Sequence, residues 1–252
     1  MYRVTKILSL LLLSTVLSGC FEEEVFSDVP RIEFQDIRYV DTQSVDSLIL
    51  SFSFEDEGAD IGLNATFDDL LQPYQVYDLI IDANDSAITI NQDNLALPLF
   101  RAPVLIDQQE GELAYFYFPE NKVPFAQEDN RPAYDCDFYE IIDSDTFFIQ
   151  RNEFHNNFHI EFERKRGSAF APLDFNQVFN SSDCTLGQFD GRIPYYDPEG
   201  KSGNYEYAMI SQAFRLAFLD DSIRVRFYVY DRALNKSNEV VSPPFLLKDI
   251  TN

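Results

Sequence analysis

The sequence predicts an all-β protein built as an antiparallel β-sandwich, and three observations carry that expectation. Aromatic residues are abundant, with 24 Phe and 14 Tyr but no Trp among 252 residues. Together with many Ile and Val they suit pleated, half-buried surfaces. Several segments alternate apolar and polar residues with period two, and almost none shows the 3.6-residue period of an amphipathic helix. The alternating segments are short and separated by polar turns, the layout of stacked antiparallel sheets.

In RIEFQDIRYV (31–40), Ile32 and Phe34 share one parity while Ile37 and Tyr39 share the other. One strand with a β-bulge near Gln35-Asp36 reconciles them. SLILSFSFED (47–56) places Leu48, Leu50, Phe52 and Phe54 on one face and Ser47, Ser51 and Ser53 on the other, with Ile49 the exception. It runs into the Gly-containing acidic loop EDEGADIG. From about 64 to 150 the pattern is less regular. YQVYDLIID, AITI and ELAYFYF read as strands, NATFDDLLQPY accommodates one short helical turn, and Pro73, Pro98, Pro103, Pro124 and Pro132 break the spaces between them. NNFHIEFERK (156–165) alternates again, with Phe158, Ile160 and Phe162 inward and His159, Glu161 and Glu163 outward. In SIRVRFYVYDRALNKSNEVVSPPFLL (222–247), Ile223, Val225, Phe227 and Val229 face one side and Arg224, Arg226, Tyr228 and Tyr230 the other. Pro243 and Pro244 suit an edge strand. The expected organisation is one sandwich over 31–250 carrying an insertion at about 64–150. Two sandwiches dividing near residue 130 are the alternative.

The formal charge of −24 repels phosphate backbones and argues against nucleic acid as a partner. It makes divalent cations plausible company.

Residues 1–19 have the layout of a signal peptide. Arg3 and Lys6 precede the apolar run Ile7–Leu13, and Leu17-Ser18-Gly19 forms a small-residue exit. The run is shorter than the roughly 20 residues a spanning helix needs. Leu17-Ser18-Gly19-Cys20 resembles the lipobox of bacterial lipoproteins. That resemblance implies cleavage before Cys20 and acylation of Cys20, so that the outer membrane becomes a partner through a lipid anchor. Glu22, Glu23 and Glu24 resemble the acidic export signal of Bacteroidetes surface lipoproteins, although Phe21 stands where those signals often begin with Ser or Lys. The implied address is the cell surface, with the periplasmic face as the alternative. In that case residues 20–30 are only a solvated acidic tether.

An exported chain lives where disulfides persist. The two remaining cysteines, Cys136 and Cys184, allow one pairing, worth about 4 kcal/mol by loop closure. Two unpaired buried thiols are the other reading. His155 and His159 in HNNFH lack a Glu between them. On a strand, four residues span about 13 Å, too far for a shared metal, so both read as turn or surface side chains. Gly200-Lys201-Ser202 lacks the earlier glycine of a phosphate loop, since Tyr195 stands there. No G-x-S-x-G elbow occurs. Carboxylate pairs carry no information in a chain with 43 acidic residues. The expectation is a protein that is not an enzyme.

VYDRALNKSN (229–238) looks like the last hairpin of bacterial immunoglobulin-like domains. Its pairing with DSLILSFSFEDEGADIGL (46–63) resembles a group of uncharacterised Bacteroidetes outer-membrane lipoproteins with an immunoglobulin-like β-sandwich. The resemblance implies that fold and address and brings no known activity. In such a sandwich the loop after the second strand and the loop between the last two lie at the same end. Asp56, Glu57, Asp60 and Asp231 are then expected to converge as a weak structural Ca²⁺ site. The other reading is a solvated acidic loop, because Ala59 occupies a position where the family carries an acid. The expected function is a membrane-anchored, surface-exposed interaction or structural module with an unidentified protein or glycan partner. A carbohydrate-binding accessory lipoprotein using Tyr115, Tyr117, Tyr195, Tyr196, Tyr205 and Tyr207 for stacking is the alternative, and a hydrolase comes third.

Overall fold

The structure is a computed structural model and describes residues 26–41, 46–64, 72–90, 92, 95–109, 112–125, 139–142, 145–180, 188–195, 201–211 and 213–251. In chain order the strands are β1 (Arg31–Val40), β2 (Ser47–Glu55), β3 (Tyr77–Ile81), β4 (Phe100–Gln109), β5 (Glu112–Tyr117), β6 (Val123–Pro124) and β7 (Glu140–Ile142). There follow β8 (Asp145–Phe147), β9 (Ile149–Arg151), β10 (Phe158–Arg166), β11 (Ala169–Pro172), β12 (Ser202–Ile210), β13 (Ile223–Val229) and β14 (Val240–Val241). Two short helices, α1 (Phe175–Phe179) and α2 (Ala213–Phe218), lie between strands of the sandwich.

Two antiparallel sheets, β1-β2-β12 and β11-β10-β13-β14, share one core. The all-β sandwich expected from the sequence is present. Along β2, Leu48, Leu50 and Phe52 are fully buried and Phe54 nearly so. Along β13, Ile223, Val225, Phe227 and Val229 are all fully buried. Each such side chain contributes about 1.5–3 kcal/mol by leaving water. The ring of Phe52 stacks on Phe158 across the sandwich at 5.2 Å and meets Phe227 at 5.6 Å. The bulge in β1 falls at Gln35, because Phe34 pairs with Phe52 and Asp36 with Ser51. The extra residue turns Ile37 and Tyr39 to the same buried side as Ile32. The edge strand β14 stops before Pro243, and there the Ser242 hydroxyl accepts from the Val225 amide at 2.9 Å.

Three features depart from the sequence pattern. Glu163, expected outward in solvent, is buried at 5% exposure between Arg224 and Arg226. AITI is not a strand; Ala87 and Thr89 make single bridges to Ile81 and Phe147. The two helices were not anticipated. In α2, Phe214, Ala217 and Phe218 are buried at spacing i, i+3, i+4. Asp174 caps α1 by accepting from the Gln177 amide.

The chain between β2 and β10 builds a further sheet, β5-β4-β3-β9, with β6 on β4. Because β9 pairs with β3, residues on both sides of position 130 belong to one sheet. Its central strand β3 is buried on both faces, Leu79 and Ile81 on one side and Ile80 on the other. Arg192 ties this unit to the sandwich. Its guanidinium donates to the carbonyls of His155 (2.6 Å), Tyr74 (3.0 Å) and Asn64 (3.1 Å). Beside it, Asn157 donates to the Ile61 carbonyl and accepts from the Ile193 amide, joining two segments whose side chains lie in the sandwich core.

Candidate metal centre

Asp56 leaves the end of β2, and Asp231 follows the end of β13. Both begin loops of one design. The amide three residues on donates to the aspartate carbonyl, Ala59 to Asp56 at 3.2 Å and Leu234 to Asp231 at 3.1 Å. That third residue is left-handed, with φ of 52° at Ala59 and 64° at Leu234. The fourth amide donates to the aspartate carboxylate, Asp60 to Asp56 Oδ2 at 2.9 Å and Asn235 to Asp231 Oδ1 at 2.7 Å. A third copy of the design, Asp82–Ser86, lies in the inserted unit. Short polar side chains favour such turns because they satisfy the backbone locally. The same loop explains much of the DRALNKSN run. Asp231 holds Asn235, the Ser237 hydroxyl accepts from the Val229 amide, and the Asn238 amide group pairs with both backbone groups of Ile32.

The two sandwich loops face each other. One carboxylate oxygen from each of Asp56, Asp60 and Asp231 lies within 4.8 Å of the others. Asp56 is fully buried, Asp231 is 2% exposed and Asp60 is half-buried. Oδ1 of Asp56 is buried without a hydrogen-bond partner. Burial, and then the Asp56 carboxyl beside it, push Asp60 up to about 6. Burial likewise raises Asp56, against the opposing hydrogen bond from the Asp60 amide, and raises Asp231 against those from Asn235. Three carboxylates crowded out of water favour either a shared proton or a bound cation. Oxygen-only ligands suit a hard cation.

Glu57 does not join them. Its carboxylate turns away to Lys201 at 2.6 Å and accepts from the Phe26 amide at 3.0 Å. The expected four-residue convergence is therefore a convergence of three. Glu57 instead holds the incoming chain, since its own amide donates to the Ser27 carbonyl at 3.0 Å. From the second loop, Asn235 Nδ2 donates to the Asp28 carbonyl at 3.3 Å. Residues 26–28 thus bridge both acidic loops.

The other expected site residues are scattered or lie elsewhere. Cys20, Glu22, Glu23, Glu24, Cys136 and Cys184 fall outside the described residues. Among the described residues, the tyrosines do not form one platform. Tyr205 is buried, and Tyr207 packs on Phe158 and donates its hydroxyl to the Phe189 carbonyl. Tyr115 and Tyr117 stack on each other in the inserted sheet, and Tyr196 is outside the described residues. His155 sits in a turn and is half-buried, with Nδ1 2.9 Å from Arg192, while His159 bonds to Asp190. Arg192 was not singled out from the sequence, because nothing local marks an arginine whose partners are carbonyls far along the chain.

The chain matches no protein-family model, and neither a curated protein nor a solved structure matches it. Among the described residues, no helix is long and apolar enough to cross a membrane.

Proposed function

We propose that the protein is a lipid-anchored, non-catalytic interaction or structural module displayed on the outer face of the outer membrane, held there through Cys20. The observation that carries this reading is the order of the N-terminal features, an apolar leader, Leu17-Ser18-Gly19-Cys20 and then Glu22–Glu24. The docking of Phe26, Ser27 and Asp28 on one end of the sandwich agrees with it. Five residues lie between Cys20 and Phe26, a reach of at most about 22 Å, so that end of the sandwich stays near the lipid. An immunoglobulin-like arrangement is part of the proposal. Within the sandwich β1 and β12 flank β2 in one sheet, and β10 pairs with β13 in the other, the kind of pairing that class uses. The dispersal of the described tyrosines favours this reading over a glycan-stacking platform.

The test is protease shaving of intact cells carrying the wild type or a Glu22/Glu23/Glu24→Ala variant, with fatty-acid labelling of wild type beside Cys20→Ser. The expected result is label on wild type only, with wild type shaved and the triple variant protected. Label retained by Cys20→Ser refutes the anchor. Protection of both chains refutes surface display.

A further inference from the structure

We propose that Asp56, Asp60 and Asp231 bind Ca²⁺ and that the bound ion fastens the N-terminal tether to the sandwich. The inference does not depend on Cys20 carrying lipid. An acidic cluster alone would be a solvated loop, but this one contains a carboxylate oxygen that a solvated loop would not leave stranded. Asp56 is fully buried, and its Oδ1 has no hydrogen-bond partner. Oδ2 of the same group is occupied by the Asp60 amide, so Oδ1 is the oxygen left over in a carboxylate that is one of the three that meet.

The ligand chemistry selects the ion. Three carboxylates without His or Cys suit a hard cation rather than zinc. The three aspartate oxygens lie within 4.8 Å of one another, close enough to share one cation. Irregular loops of this kind tolerate the variable geometry of Ca²⁺ better than the strict octahedron of Mg²⁺. Three protein residues leave positions for water, so the affinity belongs in the weak extracellular range of about 10⁻⁴–10⁻³ M.

The tether follows from what each loop holds. Glu57, inside the Asp56–Asp60 loop, binds Phe26 and Ser27. Asn235, itself held by Asp231, binds Asp28. The loops also join directly, the Arg232 amide donating to the Asp60 carbonyl at 3.1 Å. Without a cation, the carboxylates repel and push apart the two supports on which residues 26–28 rest. An ion between them draws the supports together and completes the seat for the tether.

The experiment uses the purified full chain in detergent, stripped with EGTA and titrated with CaCl₂ or MgCl₂. Melting and amide hydrogen exchange are both read. In 10 mM Ca²⁺ the wild type should melt about 3–5 °C higher, and the Phe26 and Glu57 amides should exchange several-fold more slowly. Asp60→Asn and Asp231→Asn should lose both effects. In EGTA, Asp60→Asn should melt at or above wild type because one repelling charge is gone, which also shows that the variant folds. Glu57→Ala should keep the melting shift and lose the protection at Phe26. No shift with Ca²⁺, or an undiminished shift in Asp60→Asn, overturns the site. An equal or larger shift with Mg²⁺ overturns the choice of ion. Loss of the shift in Glu57→Ala overturns the three-residue ligand set. A shift without slower exchange at Phe26 and Glu57 overturns the fastening.

Discussion

Oε1 of Glu163 stands 2.9 Å from Nη2 of Arg226 on the face of the sheet that the alternation of β10 assigns to solvent. Arg224 closes on the other carboxylate oxygen and lies over the ring of Phe170 at 4.4 Å. Burial pushes the Glu163 carboxyl up, but the two arginines outweigh it and hold it below the ordinary glutamate value. Glu163→Ala removes the shared acceptor and should cost about 2 kcal/mol, read by urea denaturation at pH 7. The unfolded chain takes up this proton first as pH falls. The wild type should therefore lose this contribution below the ordinary value of 4.5 and through the folded one. Glu163→Ala should lack that part of the acid limb, and equal acid profiles would refute the assignment.

At the junction with the inserted unit, Arg192 serves three carbonyls and the His155 ring with one fork. A lysine keeps the charge and loses the fork. Arg192→Lys should destabilise the chain by about 2–4 kcal/mol and open the junction to limited proteolysis near Asn64 and Tyr74. A variant as resistant as wild type would show that Arg192 does not hold the junction.

Burial, followed by the charge of Arg192, lowers the His155 pKa against an opposing hydrogen bond to Tyr74. The unfolded chain binds this proton near the ordinary 6.5, while the folded chain resists it. Stability from a neutral His155 is therefore present above 6.5 and lost as pH falls below it. The difference in unfolding free energy between wild type and His155→Gln should shrink from pH 7.5 to 5.5. A constant difference would count against a neutral half-buried ring.

Ala59 holds a left-handed φ of 52° that favours glycine. The strain of about 1–2 kcal/mol exceeds the extra chain entropy that a glycine carries when unfolded. Ala59→Gly should stabilise the protein by about 0.5–1 kcal/mol, measured by thermal melts in EGTA. Destabilisation would mean that the methyl group makes packing contacts worth more than the strain.

The sandwich was legible where burial is one-sided. β2 and β13 alternate cleanly because one face meets the core, and the parity change in β1 fixed the bulge to within a residue. The inserted sheet was less legible because β3 is buried on both faces, so Leu79, Ile80 and Ile81 form a continuous apolar run without alternation. The helices are five and six residues long, too short for a periodicity window, although Phe214, Ala217 and Phe218 carry the right spacing. Tyr205 and Tyr207 share period two with Met209 in β12, a signal for the core that also argues against a stacking platform. At the acidic site, the loop ends placed Asp56, Asp60 and Asp231 together. Glu57 was misread because the chain it holds, residues 26–28, returns from the start of the molecule, and its partner Lys201 is 144 residues away.

The tether docks where β1 begins, and the chain ends where β1 finishes, with the Tyr39 amide donating to the Ile250 carbonyl at 2.7 Å and Tyr39 bridging to Thr251. The two ends of the described chain are therefore at opposite poles, separated by the length of a nine- or ten-residue strand, about 30 Å. A pull between Phe26 and Thr251 runs along the strands. Both attachment points are on β1 itself, so the two ends are joined through the backbone of a single strand.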